Sequence, residues 1–192
     1  MTRFWWVRHG PTHEKTFVGW RDVPADLSDH ARIARLDAFL PRDALLISSD
    51  LIRASATAAV LGQGRLPLPA SSALREFNFG NWDGKRFDEV AESDPRLSRA
   101  FWESPGDIAP PGGESWNAVL ARVSAQVAAL LSAHPGRDIV AVAHIGVILT
   151  QVQVALGVSA AQALGHRIET LSVTCLTHAA KSWRVEMINH IP

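Results

Sequence analysis

The sequence predicts an α/β layered fold with a largely parallel sheet. Three short apolar runs, 3–8 (RFWWVR), 45–47 (LLI) and 139–143 (IVAVA), read as buried strands. Between them lie segments whose apolar residues recur at helical spacing, and alternating strands and helices favour a parallel sheet with crossover helices. The chain has 192 residues, the length of one domain. A chain of that size buries about 70% of the surface its unfolded form exposes, so it needs no covalent staple.

In order along the chain, the first strand stops abruptly at His9-Gly10-Pro11, as a buried strand entering a loop does. Residues 28–40 carry Ile33, Leu36, Phe39 and Leu40 at helical spacing, with Ser28 placed to cap the helix and Pro41 to stop it. The second strand runs into Ser48-Ser49-Asp50, candidate caps for a helix ending near Gly62. A Pro-rich stretch (Pro67, Pro69) leads to an aromatic, glycine-containing loop, LREFNFGNWDG, at 74–84. Residues 85–93 and 95–103 read as short helices and 105–113 (PGDIAPPGG) as a rigid loop; the material from about 85 to 113 would cap one end of a single domain, 1–192. Residues 114–134 form the longest helical pattern, with Trp116, Val119, Val123, Val127, Leu130 and Leu131 on one side. A helix over 146–156 follows the third strand, and 171–177 and 183–188 are β-like.

Charge and cysteine content exclude several functions. Nineteen Lys+Arg balance nineteen Asp+Glu, which argues against a broadly basic surface for nucleic acid or anionic lipid. Cys175 is the only cysteine, so an intramolecular disulfide and a multi-cysteine metal site are excluded. The apolar stretch in MTRFWWVRHG is too short for a signal sequence. The run 139–149 is interrupted by His144 and falls short of the roughly 18 residues of a spanning helix. The expectation is a cytoplasmic protein with no membrane partner.

The cations mark a candidate site. Arg8 and His9 end the first strand, Arg53 lies in the first turn of the helix after the second, and His144 ends the third. Open α/β sheets bind ligands outside the carboxyl ends of their strands. A cation in a first helical turn opposes the helix dipole by about 0.3–1 kcal/mol, a penalty that a nearby anion reverses. Gly146 opens the next helix beside His144, where free backbone N–H groups could face the same crevice. The pattern suits a phosphate-sized oxyanion: guanidinium groups hold it, and a histidine kept neutral by cationic neighbours can attack phosphorus. Glu76, among Phe77, Phe79 and Trp82, is the candidate acid for the leaving alkoxide and base for water, with a carboxyl raised by its apolar surroundings.

VRHGPT at 7–12, SSDLIRASATAA at 48–59, LREFNFGNWDG at 74–84, PGGES at 111–115 and VAHIGV at 142–147 stand in an order that resembles the histidine phosphatase superfamily, the phosphoglycerate-mutase-like family, in its phosphatase branch. The resemblance implies a three-layer α/β sandwich, with a mostly parallel mixed sheet, helices on both faces and a small helical cap. It implies a histidine acid-type phosphatase with His9 as the phosphorylated nucleophile, Arg8, Arg53 and His144 as the phosphate pocket, Glu76 as general acid/base, and neither metal nor cofactor. The substrate would be a small phosphorylated metabolite such as α-ribazole phosphate or a sugar phosphate. Pro11 stands where the family more often has Glu, Lys15 where many members have a phosphate-contacting Asn, and Ile145 in place of a Gly. Thr12 and Lys15 are further candidate phosphate contacts. Trp20 and Trp82, with Phe17 and Arg21, are candidates for the leaving-group pocket.

Plain alternatives exist for each residue. Arg53 could form a surface pair with Asp50, Glu76 one with Arg75, and Thr12 and Lys15 could lie in a solvated loop. Cys175, in LSVTCLT, reads as a small buried residue. Gly80–Lys85 (GxxxGK) is one residue short of a P-loop, and His9 and His13 enclose Gly10-Pro11 and so share no helical zinc face. A phosphoglycerate-type mutase and a noncatalytic phospholigand-binding protein are the rival functions. Only 36 residues separate Glu76 from Gly113, a short cap that favours an open, hydrolytic site over a mutase.

Overall fold

The first strand, β1 (Thr2–Arg8), lies inside the sheet and is flanked on both sides. The computed structural model describes all 192 residues. Six strands stand in the order β3-β2-β4-β1-β5-β6, with β2 at Leu45–Ser48, β3 at Leu66–Pro67, β4 at Asp138–Ala143, β5 at Val173–Ala179 and β6 at Ser182–His190. The pairings among β3, β2, β4 and β1 are parallel, whereas β5 runs antiparallel to both β1 and β6. The sheet is therefore mixed. The two-residue β3 falls in the Pro-rich stretch that the sequence pattern left without a strand.

Helices cover both faces, and the pleat of the central strands decides which residues meet which helices. Phe4, Trp6, Ile139 and Ala141 point into one apolar cluster with Val119, Val123 and Val127 of α5 (Trp116–Ala133) and with Ile148 and Val152 of α6 (Ile145–Leu156). Val7, Val140 and Val142, one residue out of phase, pack with Ile33 and Leu36 of α1 (His30–Phe39) and Ala54 and Ala58 of α2 (Ile52–Val60). Because successive strand residues alternate faces, a strand covered on both sides must be apolar throughout. That requirement explains why the runs 139–143 and 45–47 are continuously hydrophobic. Two short helices, α3 (Phe87–Ser93) and α4 (Pro95–Glu103), lie in the segment assigned to a cap, and α7 (Ala160–Leu164) is an addition that the sequence pattern did not anticipate.

Helix caps correct two expectations. Asp29, not Ser28, caps α1, its side chain accepting from the N–H of Arg32, while the N–H of Ser28 donates to Asp26. Neither Ser48, Ser49 nor Asp50 caps α2. The helix starts at Ile52, and Asp22, thirty residues earlier, accepts the Ile52 N–H at 2.7 Å. Asp50 instead forms a two-point pair with Arg75 at 2.6–2.8 Å. The distant cap ties the loop after β1 to the helix that carries Arg53. Removing a capping carboxylate typically costs about 1 kcal/mol. Asp22→Ala should lower the urea midpoint of unfolding accordingly; an unchanged midpoint would contradict the cap.

Candidate active site

The register of β1 against β4 pairs Arg8 with Ala143, and the N–H of His9 donates to the Ala143 carbonyl at 3.0 Å. His9 and His144 consequently leave adjacent strands side by side, with ring centroids 5.0 Å apart. A cavity of about 360 Å³ opens at this end of the sheet, and Arg8, His9, Arg53 and Glu76 all line it. Thr12 and Gly146 lie on the same wall. His144, beside His9, has no exposed surface and is not part of the lining.

His9 is poised in one tautomer. Its Nδ1 lies 2.7 Å from the Gly10 carbonyl oxygen, which can only accept, so Nδ1 carries the proton and Nε2 keeps its lone pair. Burial, reinforced by the Arg53 and Arg8 charges, holds the imidazole down to about 3. The Gly10 N–H is pinned by the Thr57 hydroxyl of α2 at 3.0 Å, which fixes the turn after the strand. His144 is held well below its ordinary range, chiefly by burial and then by its cationic neighbours. Neither of its ring nitrogens has a protein partner.

Neither arginine has a carboxylate partner; Arg53 is buried and Arg8 is half-buried. The Arg53 guanidinium donates only to backbone carbonyls, Gly19 at 2.6 Å and Arg21 at 3.1 Å, and so anchors the loop that crosses the site. Arg8 donates to the Ile168 carbonyl at 2.6 Å, and its Nε has no partner. Burial lowers both pKa values, and the Glu76 charge opposes that shift in each. The surface pair Arg53–Asp50 does not form, because Asp50 is engaged by Arg75. The same pairing removes Arg75 as a partner for Glu76, which is buried.

Two backbone N–H groups hold the Glu76 carboxyl, that of Phe77 at 2.9 Å on Oε1 and that of Gly146 at 3.2 Å on Oε2. The Gly146 N–H is thus spent on Glu76 and is not free for a ligand, a correction to the sequence expectation. Burial raises the carboxyl, outweighing those two hydrogen bonds and the nearby arginines. Only glycine permits this approach. A Cβ at position 146 would stand 2.4 Å from both Glu76 Oε1 and the Phe77 ring.

Two anchors hold Glu76 from behind, Arg122, which the sequence reading missed, and Trp20, which it placed in the leaving-group pocket. Arg122 of α5 donates to the carbonyls of Ala73, Arg75 and Glu76 at 2.8–3.0 Å and forms a two-point pair with Glu114, whose carboxylate accepts the Asn78 N–H. The signal was present: Arg122 is the one charged residue in the eighteen of that helix. Trp20 is the second anchor, its indole N–H donating to the Glu76 carbonyl at 2.8 Å while Arg75 stacks on its outer face. Trp20, Lys15, Arg21 and Trp82 do not line the cavity. Lys15 points to solvent, and Trp82 is buried against Phe17 and Phe101. Phe17 does line the cavity, together with Phe87 and Trp102 from α3 and α4, which the sequence reading had not placed there. Cys175 is buried in β5, its thiol pushed up to about 12, in keeping with a packing role. No group of three or more His, Cys, Asp or Glu side chains is arranged to hold a metal ion, and no helix is long and apolar enough to cross a membrane.

The family model described as the histidine phosphatase superfamily (branch 1) matches residues 4–191. The chain is 35% identical over 140 residues to the bifunctional protein Rv2228c of Mycobacterium tuberculosis, an alignment covering 72% of this chain and 36% of that protein. It is 36% identical over 130 residues to a 2,3-bisphosphoglycerate-dependent phosphoglycerate mutase of Methylobacterium sp., covering 61% of this chain and 62% of the mutase. The matches thus span about a third and somewhat under two thirds of those relatives' lengths. The solved structure of the mycobacterial glucosyl-3-phosphoglycerate phosphatase Rv2419c superposes with a TM-score of 0.86 at 28% identity, covering 99% of both chains.

The two buried histidines make stability depend on pH in a definite direction. An unfolded histidine protonates near 6.5, whereas His9 and His144 in the folded chain resist protonation until far lower pH. Between those limits the unfolded chain binds more protons, so stability falls as pH drops below about 6.5. Glu76, raised in the folded state, acts in the opposite sense above about 4.5, but as one group against two. Urea midpoints from pH 7 to 4.5 should therefore fall more steeply for the native chain than for a His9→Asn/His144→Asn variant. Equal slopes would show that the imidazoles are not held neutral by the fold.

Proposed function

The chain belongs to the histidine phosphatase superfamily, and from that membership and the geometry of its cavity we propose that it is a phosphomonoesterase working through a phosphohistidine on His9. The observation that carries the proposal is one buried and one half-buried guanidinium group, Arg53 and Arg8, without carboxylate partners, beside an imidazole locked with a free Nε2. Uncompensated buried charge destabilises a fold by several kcal/mol. A phosphate dianion between Arg8 and Arg53 would offset that cost and present its phosphorus to the lone pair. We read residues 1–192 as one domain, with the segment 85–113 as its cap.

In the first half-reaction, Arg8 and Arg53 hold the phosphoryl oxygens and His9 Nε2 attacks phosphorus. As the Nε2–P bond forms, the bond from phosphorus to the leaving oxygen breaks, and that oxygen takes a proton from Glu76. Burial raises the Glu76 carboxyl and so favours the protonated form that this step needs, and the longer of its two hydrogen bonds, at Oε2, leaves that oxygen the freer to carry the proton. In the second half-reaction the Glu76 carboxylate takes a proton from water, the hydroxide attacks phosphorus, and the Nε2–P bond breaks to release inorganic phosphate. The Gly10 carbonyl, bonded to Nδ1–H, stabilises the positive charge that the ring acquires while phosphorylated. His144, fully buried beside His9 and with both ring nitrogens lacking a protein partner, is read as a neutral donor to the phosphoryl group once that group is bonded to His9.

His9→Ala should abolish hydrolysis of p-nitrophenyl phosphate, and acid-sensitive, base-stable phosphate should be trapped on the native chain but not on the variant. Undiminished hydrolysis by His9→Ala would sink the mechanism. Glu76→Gln should slow alkyl phosphates at least about tenfold more than p-nitrophenyl phosphate, whose leaving group needs no proton; equal slowing would place the acid elsewhere. With 3-phosphoglycerate, phosphate release marks a phosphatase, whereas formation of the 2-isomer would favour the mutase reading.

A further inference from the structure

Beyond its phosphate end, the cavity has the chemistry of an apolar slot. Phe17, Phe79, Phe87, Phe101 and Trp102 form a continuous aromatic wall. The Phe17 ring lies 4.3 Å from that of Phe87 and 4.9 Å from that of Phe79, and is nearly parallel to Trp102, with 14° between their planes; Phe101 meets Trp102 edge-on at 4.8 Å. Phe87 and Trp102 are 55% and 38% exposed, yet both line the cavity. Aromatic faces open to water beside a binding site gain free energy when an apolar group covers them.

The charges of the lining exclude an alternative occupant. Apart from Arg8, His9 and Arg53 at the phosphate end, no arginine, lysine or histidine lines the cavity. Besides Glu76 at the phosphate end, the one other acidic side chain is Glu14, whose carboxylate accepts from Arg21 and Thr16. A second anionic group on the substrate, such as the carboxylate of a phosphoglycerate, would find no cation there and would face Glu14. Thr12 and Thr16 are the only hydroxyl side chains in the lining, so a many-hydroxyl sugar would bury most of its hydroxyls against rings that cannot accept or donate hydrogen bonds of comparable strength.

We infer that the preferred substrate is a phosphate monoester of an uncharged, apolar, ring-bearing alcohol, held by the Phe17–Phe87–Trp102 wall. This rests on the phosphatase reading above and names the substrate class of that site. The wall joins the loop after β1 to both helices of the cap segment, so specificity resides in the contact between them.

The test compares alkyl esters whose leaving alcohols have similar acidity, so that binding rather than leaving-group chemistry sets the ratio. For the native chain, kcat/KM for 3-phenylpropyl phosphate should exceed that for propyl phosphate and glycerol 3-phosphate by at least about tenfold, the scale of discrimination that apolar pockets achieve. In a Phe87→Ser/Trp102→Ser variant the phenylpropyl-to-propyl ratio should fall towards one. Because both substrates are measured on one preparation, loss of folded protein cancels from the ratio. Hydrolysis of p-nitrophenyl phosphate with glycerol 3-phosphate or 3-phosphoglycerate equal to or better than the phenylpropyl ester would overturn this inference and leave the phosphatase reading standing. A ratio unchanged in the double variant would overturn the assignment to this wall. No hydrolysis of any ester, p-nitrophenyl phosphate included, would overturn the phosphatase reading and this inference with it.

Discussion

The parallel pairing of β1 with β4 sets the geometry of the whole cavity. Their register places Arg8 opposite Ala143, so the first residues beyond the two strands, His9 and His144, emerge together and their rings meet. Both strands are buried on both faces by clusters that alternate residue by residue. A slip of one residue would turn every apolar side chain to the wrong layer. The position of the two imidazoles is therefore fixed by the core itself, not by hydrogen bonds between them.

Around that fixed pair, the site accumulates groups held away from their ordinary ionisation. A buried and a half-buried guanidinium group stand without carboxylates, two imidazoles are kept neutral and one carboxyl is raised. Such a set costs stability, and the fold confines it with backbone contacts. Arg53 ties down the loop at 19–21, Asp22 of the same loop caps the helix bearing Arg53, and Arg122 with Trp20 clamps the chain at Glu76. Loop and helix each hold the other in place. Groups with displaced pKa values, converging on one cavity, are the arrangement that acid–base and nucleophilic chemistry requires.

The strands that carry the site were readable because burial on both faces demands unbroken apolar runs, and the site cations because they fall at strand ends and in a helical first turn. Legibility ended where distant segments meet. The cap at Ile52 comes from Asp22, and no local pattern announces a donor–acceptor pair thirty residues apart. The family pattern suggests Lys15 as a phosphate contact and loop position suggests Trp20 for the leaving-group pocket, yet Lys15 faces solvent and Trp20 braces Glu76 from behind. Phe87 and Trp102 carry no local signal that they line the cavity, because only the placement of α3 and α4 brings them to it. Arg122 could have been noticed, as a lone charge in an apolar helix, but its three carbonyl partners come from a loop more than forty residues away.

The central claim is that Arg8 and Arg53 form a positively charged recess completed by a phosphoryl dianion. Thermal unfolding with increasing inorganic phosphate, for the native chain and for Arg53→Met, tests it most directly, since a ligand that binds only the folded state raises the melting temperature. The account predicts a saturable rise for the native chain that is largely lost in Arg53→Met, while chloride at matched ionic strength has little effect on either. A native chain indifferent to phosphate, or a variant stabilised just as much, would contradict it.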